Sequence, residues 1–357
     1  MKNKFLLFLI LFATAKFVSA QTILEADGPG NTYELINSVF APGFDVIEVP
    51  DCNHGSFSRH IDEVFDVDLN KYVFQFHIHT TPDNDRCTKF DRQRTEIKTY
   101  DKSPDSLLAT LTEKVEYKWK FKLDSGFQPS SSFTHIHQIK AVGGSEQDMP
   151  LITLTPRKGN PDKMQLRYAA ALSQSTIHEV NLVDFKGVWV EAKETIIYNE
   201  TGLGAYEIVM TKVAGGDTLF YYTNNSIRTW KTDASFLRPK WGIYRSLNDS
   251  TNLRDEAILF ADFSIEELDP LSSSTNSIVE NDEILIYPNP TNHQLLLSEV
   301  VLKNYQLINI YNSNRQLVLS EKIERNTVSI AHLENGLYFV ELKGEKVKNK
   351  TVRIIVE

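Results

Sequence analysis

From residue 44 onward, apolar and polar positions alternate along most of the chain with period two, in runs rich in Val, Ile, Phe, Tyr and Thr. KYVFQFHIH, RTEIKTY, KVEYKWKFKL, SFTHIHQIKAV, PLITLTP, MQLRYAA, HEVNLV, GVWVEAKETIIY, AYEIVMTK, TLFYYT and AILFADFSI each show this alternation. A period of two places successive side chains on opposite faces, so each run reads as a strand with one buried face. Short strands at this spacing, split by Gly, Pro and Asp-Asn turns, predict an all-β sandwich or jelly roll. Helical periodicity is scarce. SPDSLLATL (Ser103 to Leu111) and TNLRDEA are the short candidates, and the first opens on a capping serine.

The two ends of the chain break the pattern. MKNKFLLFLILFATAKFVSAQ begins with lysines, continues in an apolar run and ends in Val18-Ser19-Ala20, so residues 1–20 read as a secretory signal peptide. No later stretch approaches ~18 consecutive apolar residues, so no membrane span is expected. LDPLSSSTNSIVENDE, residues 268–283, lacks apolar periodicity and reads as a linker. It separates a domain at 21–267 from a small C-terminal β-sandwich at 284–357. A net charge of -9 argues against nucleic acid as a partner, although it leaves room for a local basic surface. The chain has two cysteines, Cys52 and Cys87. In an exported protein the simplest expectation is one disulfide between them.

Candidate chemistry lies on three strands. In DRQRTEIKTY, Arg92, Arg94, Glu96 and Lys98 share one face. The turn-rich PDNDRC is expected to fold this strand back beside KYVFQFHIH as a hairpin. His77 and His79 would then join Arg92 and Arg94 on one patch suited to an acidic polymer. In FTHIHQIK, alternation places His135 and His137 on one face and Gln138 and Lys140 on the other. The histidine face is expected to point partly inward, with His135 structural. In RPKWGIYRSL, Lys240, Gly242 and Tyr244 alternate, spacing an ammonium and a phenol by ~13 Å of strand rise. Glu25, Asp27, Asn31 and Asp262 supply oxygen ligands for a structural calcium if the first and last strands pair.

Read together, Arg94-Thr95-Glu96, Gln138-Ile139-Lys140 and Lys240-Trp241-Gly242-Ile243-Tyr244 resemble the three signature strands of jelly-roll polysaccharide lyases. Family 7 alginate lyases show a related order, with a histidine where this chain has Lys140. The longer wording DRQRTEIKTYDKSP, FTHIHQIKAVGG and RPKWGIYRSL is more similar to glucuronan lyases and, above all, to ulvan lyases of family 28. The resemblance spans about Thr22 to Pro270. It implies a concanavalin-like jelly roll that cleaves sulfated algal polysaccharide by β-elimination, with no cofactor required for the chemistry. It implies that Arg94 and Gln138, helped by Lys140, stabilise the enolate-like charge formed when the C5 proton leaves a uronate. Tyr244 is the expected acid, base or both, with Lys240 and Arg245 near it; His77, His79 and His137 are candidates for a second proton carrier. Arg92 and Glu96 are expected to contact or orient substrate. The tail, with YPNPTN, NSNRQ and LENGLYFVEL, resembles the sorting domain of type IX secretion. That implies export, with the secretion machinery as a partner; a monomer is expected.

Two other readings stay open. The His-Ile-His runs could form a four-nitrogen metal site of cupin type, although no carboxylate follows either run at cupin-like spacing. A non-catalytic carbohydrate-binding module would keep the polar surface without needing Tyr244.

Overall fold

A computed structural model of the chain describes residues 21–268 apart from Ser58, and 286–356 apart from 288–290, 292, 313–315 and 345–349. The signal-peptide assignment at 1–20 lies outside the described residues, as does the linker assignment at 268–283 apart from Leu268, which ends a strand. The chain divides into two compact units, with the boundary between residues 273 and 274.

The first unit is a sandwich of two antiparallel sheets. One sheet runs in the order β13 (Thr218–Ile227), β12 (Gly204–Lys212), β11 (Trp189–Ile197), β6 (Lys114–Lys122), β15 (Glu256–Leu268), β4 (Lys71–Ile78) and β3 (Ile61–Asp66). A short β1 (Thr22–Leu24) also pairs with β15. The other sheet runs in the order β10 (Ser175–Asn181), β9 (Lys163–Tyr168), β8 (Ile152–Arg157), β7 (Thr134–Val142), β14 (Phe236–Ser246), β5 (Arg92–Lys98) and β2 (Ile47–Glu48). The expected all-β jelly-roll architecture is what the chain adopts.

Alternation explains the layers. In β6, Val115, Tyr117, Trp119 and Phe121 are buried, while Lys118, Lys120 and Lys122 on the other face pair with carboxylates. From the facing sheet Ile97, Ile139, Trp241 and Ile243 enter the same core, where Trp241 lies against Trp119, Phe40 and Phe263. Each fully buried side chain of this size contributes about 1.5–3 kcal/mol of transfer free energy. A polar link crosses the core: His137 Nε2 lies 2.8 Å from Glu194, whose other oxygen accepts from Tyr206 at 2.7 Å.

The helix of this unit, α1 (Thr32–Phe40), was not expected from the sequence; it buries Thr32, Ile36 and Phe40 along one side. The two segments that had looked helical form only single 3₁₀ turns, at Asp105–Leu107 and Ser250–Asn252. The expected hairpin between β4 and β5 is also absent. β4 pairs with β3 and β15, and β5 pairs with β14 and β2, so the two strands belong to opposite sheets. Side chains bridge them instead of a ladder: Thr95 Oγ1 donates to the His77 carbonyl at 2.8 Å, and Gln93 donates to the carbonyls of His79 and Asp83.

Gly242 fixes the pairing of β14 with β5. It lies opposite Glu96 with φ +140°, and a Cβ built there would sit 2.1 Å from the Thr95 carbonyl oxygen. The nearest atoms are all backbone of Thr95 and Glu96, so no flexible group can move aside. Gly242→Ala is therefore expected to destabilise the unit by about 1–3 kcal/mol or more, read as a lower urea midpoint; an unchanged midpoint would show that the close approach is relaxed at no cost.

The second unit has its own core of Leu295, Val301, Ile308, Ile310, Val340, Leu342 and Ile354. Its sheets have three strands, β16 (Ile286–Tyr287), β17 (Gln294–Leu297) and β20 (Thr327–Ser329), and four, β18 (Leu307–Asn312), β19 (Leu317–Lys322), β21 (Gly336–Lys343) and β22 (Lys350–Val356).

Candidate active site

The outer face of the seven-stranded sheet carries the charged side chains of β5, β7 and β14. Pairing sets Tyr244 beside Arg94 on one side and His135 on the other, and Lys240 beside Lys98 and Gln138. Arg238 pairs with Lys140 at the far end of the same strands.

Beneath this face lies a compact ion network. Glu96, fully buried, accepts from Arg94, from Lys240 at 2.7 Å and from the Gln138 amide. Glu48 of β2 accepts from Lys240, from Arg94 at 3.3 Å, from Lys98 at 2.9 Å and from Arg86 at 2.8 Å. Asp85 holds Arg94 with both oxygens, at 2.8 and 3.2 Å. Burial alone pushes both glutamates up, but the surrounding Lys240 and Arg94 pull them below the usual carboxylate range. Burial in turn pulls Lys240 down to about 8, so its ammonium at neutral pH depends on the two glutamates it touches.

Arg94 is thus committed to three carboxylates, and it also stacks under the Tyr244 ring, 3.7 Å from the centroid. It acts here as a platform for the phenol. The Tyr244 oxygen accepts from Arg92 Nη1 at 3.0 Å, and Arg92 also pairs with Asp91. One guanidinium, Arg92, thus reaches the phenol oxygen, while a second, Arg94, lies against the face of its ring.

The histidines sort differently from their alternation. On β14, Gly242 and Ile243 together lie opposite Ile136 of β7, a register shift between Trp241 and Tyr244. Such a slip sends flanking residues to opposite faces. His137 enters the core with Trp119, Trp241 and Glu194 and is not available to substrate. His135 emerges beside Tyr244, ring centroids 6.0 Å apart, with Nδ1 held by Thr155 Oγ1 at 2.8 Å. Burial, aided by Arg167, Arg94 and Arg157, pushes His135 down to about 3 against the pull of Glu96. The imidazole is neutral at any ordinary working pH.

Other expected site residues lie elsewhere. His77 extends from β4 in the opposite sheet and pairs with Asp62 at 3.1 Å. His79 lies at the end of that strand against Asp83. Arg245 turns inward, where its Nε donates to Gln93 at 2.8 Å and burial lowers it to about 10. Lys140 remains on the outer face, half-buried, and burial together with Arg238 lowers it. Arg238, which sequence reasoning missed, is buried on this face with Nε and Nη1 unpartnered among the described residues. Its pairing with Lys140 shows only in the register. Two of the four expected calcium ligands take lysine partners. Glu25 and Asp262 share the Lys71 ammonium, at 2.9 and 2.6 Å, and Asp262 takes Lys120 as well at 2.6 Å. Asn31 gives its carbonyl to the Leu35 amide in α1. Cys52 and Cys87 form the expected disulfide.

Residues 285–357 match the family model "Secretion system C-terminal sorting domain", which supports secretion or export to the cell surface. Solved structures similar to the chain include an endo-β-1,4-glucuronan lyase from the fungus Trichoderma reesei, 14% identical with TM-score 0.44, covering 63% of this chain and 92% of that one. A marine family 14 alginate lyase from Aplysia kurodai is 13% identical with TM-score 0.48, covering 70% of this chain and 98% of that one. A family 7 alginate lyase solved with substrate is 15% identical with TM-score 0.42, covering 64% and 98%. No curated protein matches the sequence.

Proposed function

We propose that the first unit is a polysaccharide lyase that cleaves an acidic polysaccharide, ulvan in the first instance, by β-elimination at uronate residues. The observation that carries this reading is the row of cationic groups along β14 beside a Tyr244–His135 pair. Arg92 stands at the phenol, and Arg238 with Lys140 stands six residues away along the strand, a span of ~20 Å by strand rise. A single small anion needs one such cluster; a polymer bearing an acid group on successive sugars meets both.

In the proposed reaction the uronate carboxylate is neutralised by Arg92, which acidifies the C5 proton. His135, uncharged and held at Nδ1 by Thr155, takes that proton. The bound anion beside the ring raises its basicity in the complex. Tyr244 gives its proton to the departing glycosidic oxygen. The C5–H and C4–O bonds break, a C4–C5 double bond forms, and water is not consumed. Arg94, Glu96 and Gln138 act beneath this layer by holding Tyr244 and the sheet face in place. The sorting domain is read as type IX, delivering the enzyme to polysaccharide outside the cell.

Substrate choice is tested by product analysis on ulvan, glucuronan and alginate. Unsaturated oligosaccharides from ulvan support the assignment, whereas turnover of alginate alone would move it to another substrate. The His135 environment makes a further prediction. An ordinary histidine titrates near ~6.5, but one held near 3 stays neutral far below that. The kcat/KM profile on the free enzyme should be flat through pH 6.5 as pH falls. An acid limb centred there, abolished in His135→Gln, would contradict the neutral ring. The sign for stability follows: between the unfolded and folded pKa values the unfolded chain binds the extra proton, so His135 costs stability as pH falls from about 6.5 toward 3.

A further inference from the structure

Away from the Tyr244 face, where the chain crosses from β4 to β5, three imidazoles meet one carboxylate. Asp83, 2% exposed, has His54 Nδ1 at 3.0 Å, His60 Nε2 at 3.1 Å and His79 Nδ1 at 3.0 Å from its oxygens. All four donors lie within 4.8 Å of one another. The geometry points to a binding site for a divalent transition-metal ion, zinc by donor type, that clamps residues 51–60 onto residues 79–87.

Three features favour a metal over a cluster of hydrogen bonds alone. The donor set, three imidazole nitrogens and one carboxylate, is that of zinc, whereas calcium takes oxygen. A tetrahedral site with ~2.0–2.2 Å bonds spaces its donors roughly 3.3–3.6 Å apart, so closing on an ion asks for side-chain shifts on the order of 1 Å. Next, His60 is already oriented from behind. Its Nδ1 lies 2.6 Å from Asp51, and Asp51 accepts from the Tyr33 hydroxyl at 2.9 Å. With Nδ1–H given to a carboxylate, Nε2 is the nitrogen left for a metal, as in the carboxylate–histidine–zinc arrangement. Last, Phe57 packs against His54, His60 and His79, with ring centroids 5.5, 5.0 and 4.6 Å away and edge-on to His79, forming an apolar wall. Four protein ligands close the first shell, so the ion serves structure.

The clamp has a route to the catalytic face. Asp83 is two residues from Asp85, the bidentate partner of Arg94, and the Asp83 carbonyl accepts from Gln93 of β5 at 3.1 Å. The Cys52–Cys87 disulfide ties the same two segments. The metal and the disulfide together hold the segment that positions Arg94 under Tyr244.

The test uses the full chain, incubated with zinc sulfate and desalted, with metal measured by atomic absorption. About one zinc per chain is expected, together with a thermal midpoint that rises with zinc and falls on chelation. Cobalt substitution should give the intense visible bands of a tetrahedral nitrogen-oxygen site. His54→Ala, at the half-buried edge of the cluster, should lose the metal while keeping its circular dichroism, whereas His77→Ala should retain it. Wild-type protein without stoichiometric metal overturns the proposal. So does full retention by His54→Ala, or cobalt with the weak spectrum of an octahedral aquo site. Because cobalt is read on the wild type, the proposal stays decidable even if a variant fails to fold.

Discussion

Tyr244→Phe is expected to lower kcat by about 10²–10⁴-fold, the usual contribution of a positioned proton donor, while leaving polysaccharide binding intact. The change removes one oxygen. The ring keeps its stacking on Arg94, and Phe133 remains 5.1 Å away, so packing is preserved. Arg92 loses an acceptor but stays paired with Asp91, and its half-exposed position lets water replace the lost bond. Equal losses of binding and turnover would make Tyr244 a contact residue. Unchanged turnover on a substrate the wild type cleaves would remove it from the mechanism. If the wild type binds ulvan and never cleaves it, the first unit is a binding module.

Glu96→Ala is expected to be the most destabilising change on this face. Glu96 is fully buried and takes hydrogen bonds from Arg94, Lys240 and Gln138. Removing the carboxylate strands two buried cations with only Glu48 and Asp85 to hold them. Breaking one partner of a buried ion pair costs about 3–5 kcal/mol, read as a fall in the urea midpoint of the first unit. Glu96→Gln keeps the volume and one acceptor, so it should recover part of that loss. Turnover in Glu96→Gln should fall more than stability does, because Arg94 no longer holds the Tyr244 ring from a fixed position. Equal stability in wild type and Glu96→Ala would mean that the network relaxes around the gap.

The strands were legible because period-two alternation is imposed by burial on one face, and KVEYKWKFKL shows it without interruption. The same alternation sets Lys240 and Tyr244 on the face opposite Trp241 and Ile243, which enter the core. The histidines do not follow it. Alternation puts His135 and His137 together, but Gly242 and Ile243 of the neighbouring strand lie opposite Ile136 alone, and that slip is a property of the pair of strands. The β4–β5 hairpin failed for a related cause: PDNDRC has turn chemistry, yet the segment crosses between sheets and spends its polar groups on His54, His60, His79 and Arg94. The helix at Thr32–Phe40 was hidden because one of its three buried positions is a threonine. Arg238 and the His54–His60–His79–Asp83 cluster gave no periodic signal, since their meaning lies in partners distant along the chain.

Elimination at the Tyr244 face is tested most directly by digestion of ulvan by the full chain in isotopically labelled water, with products followed by mass and absorbance. Shorter chains carrying a new C4–C5 double bond are expected, with no oxygen taken up from solvent and with loss of both the shortening and the absorbance in Tyr244→Phe. Products that incorporate solvent oxygen and show no new absorbance would mark a hydrolase and contradict elimination.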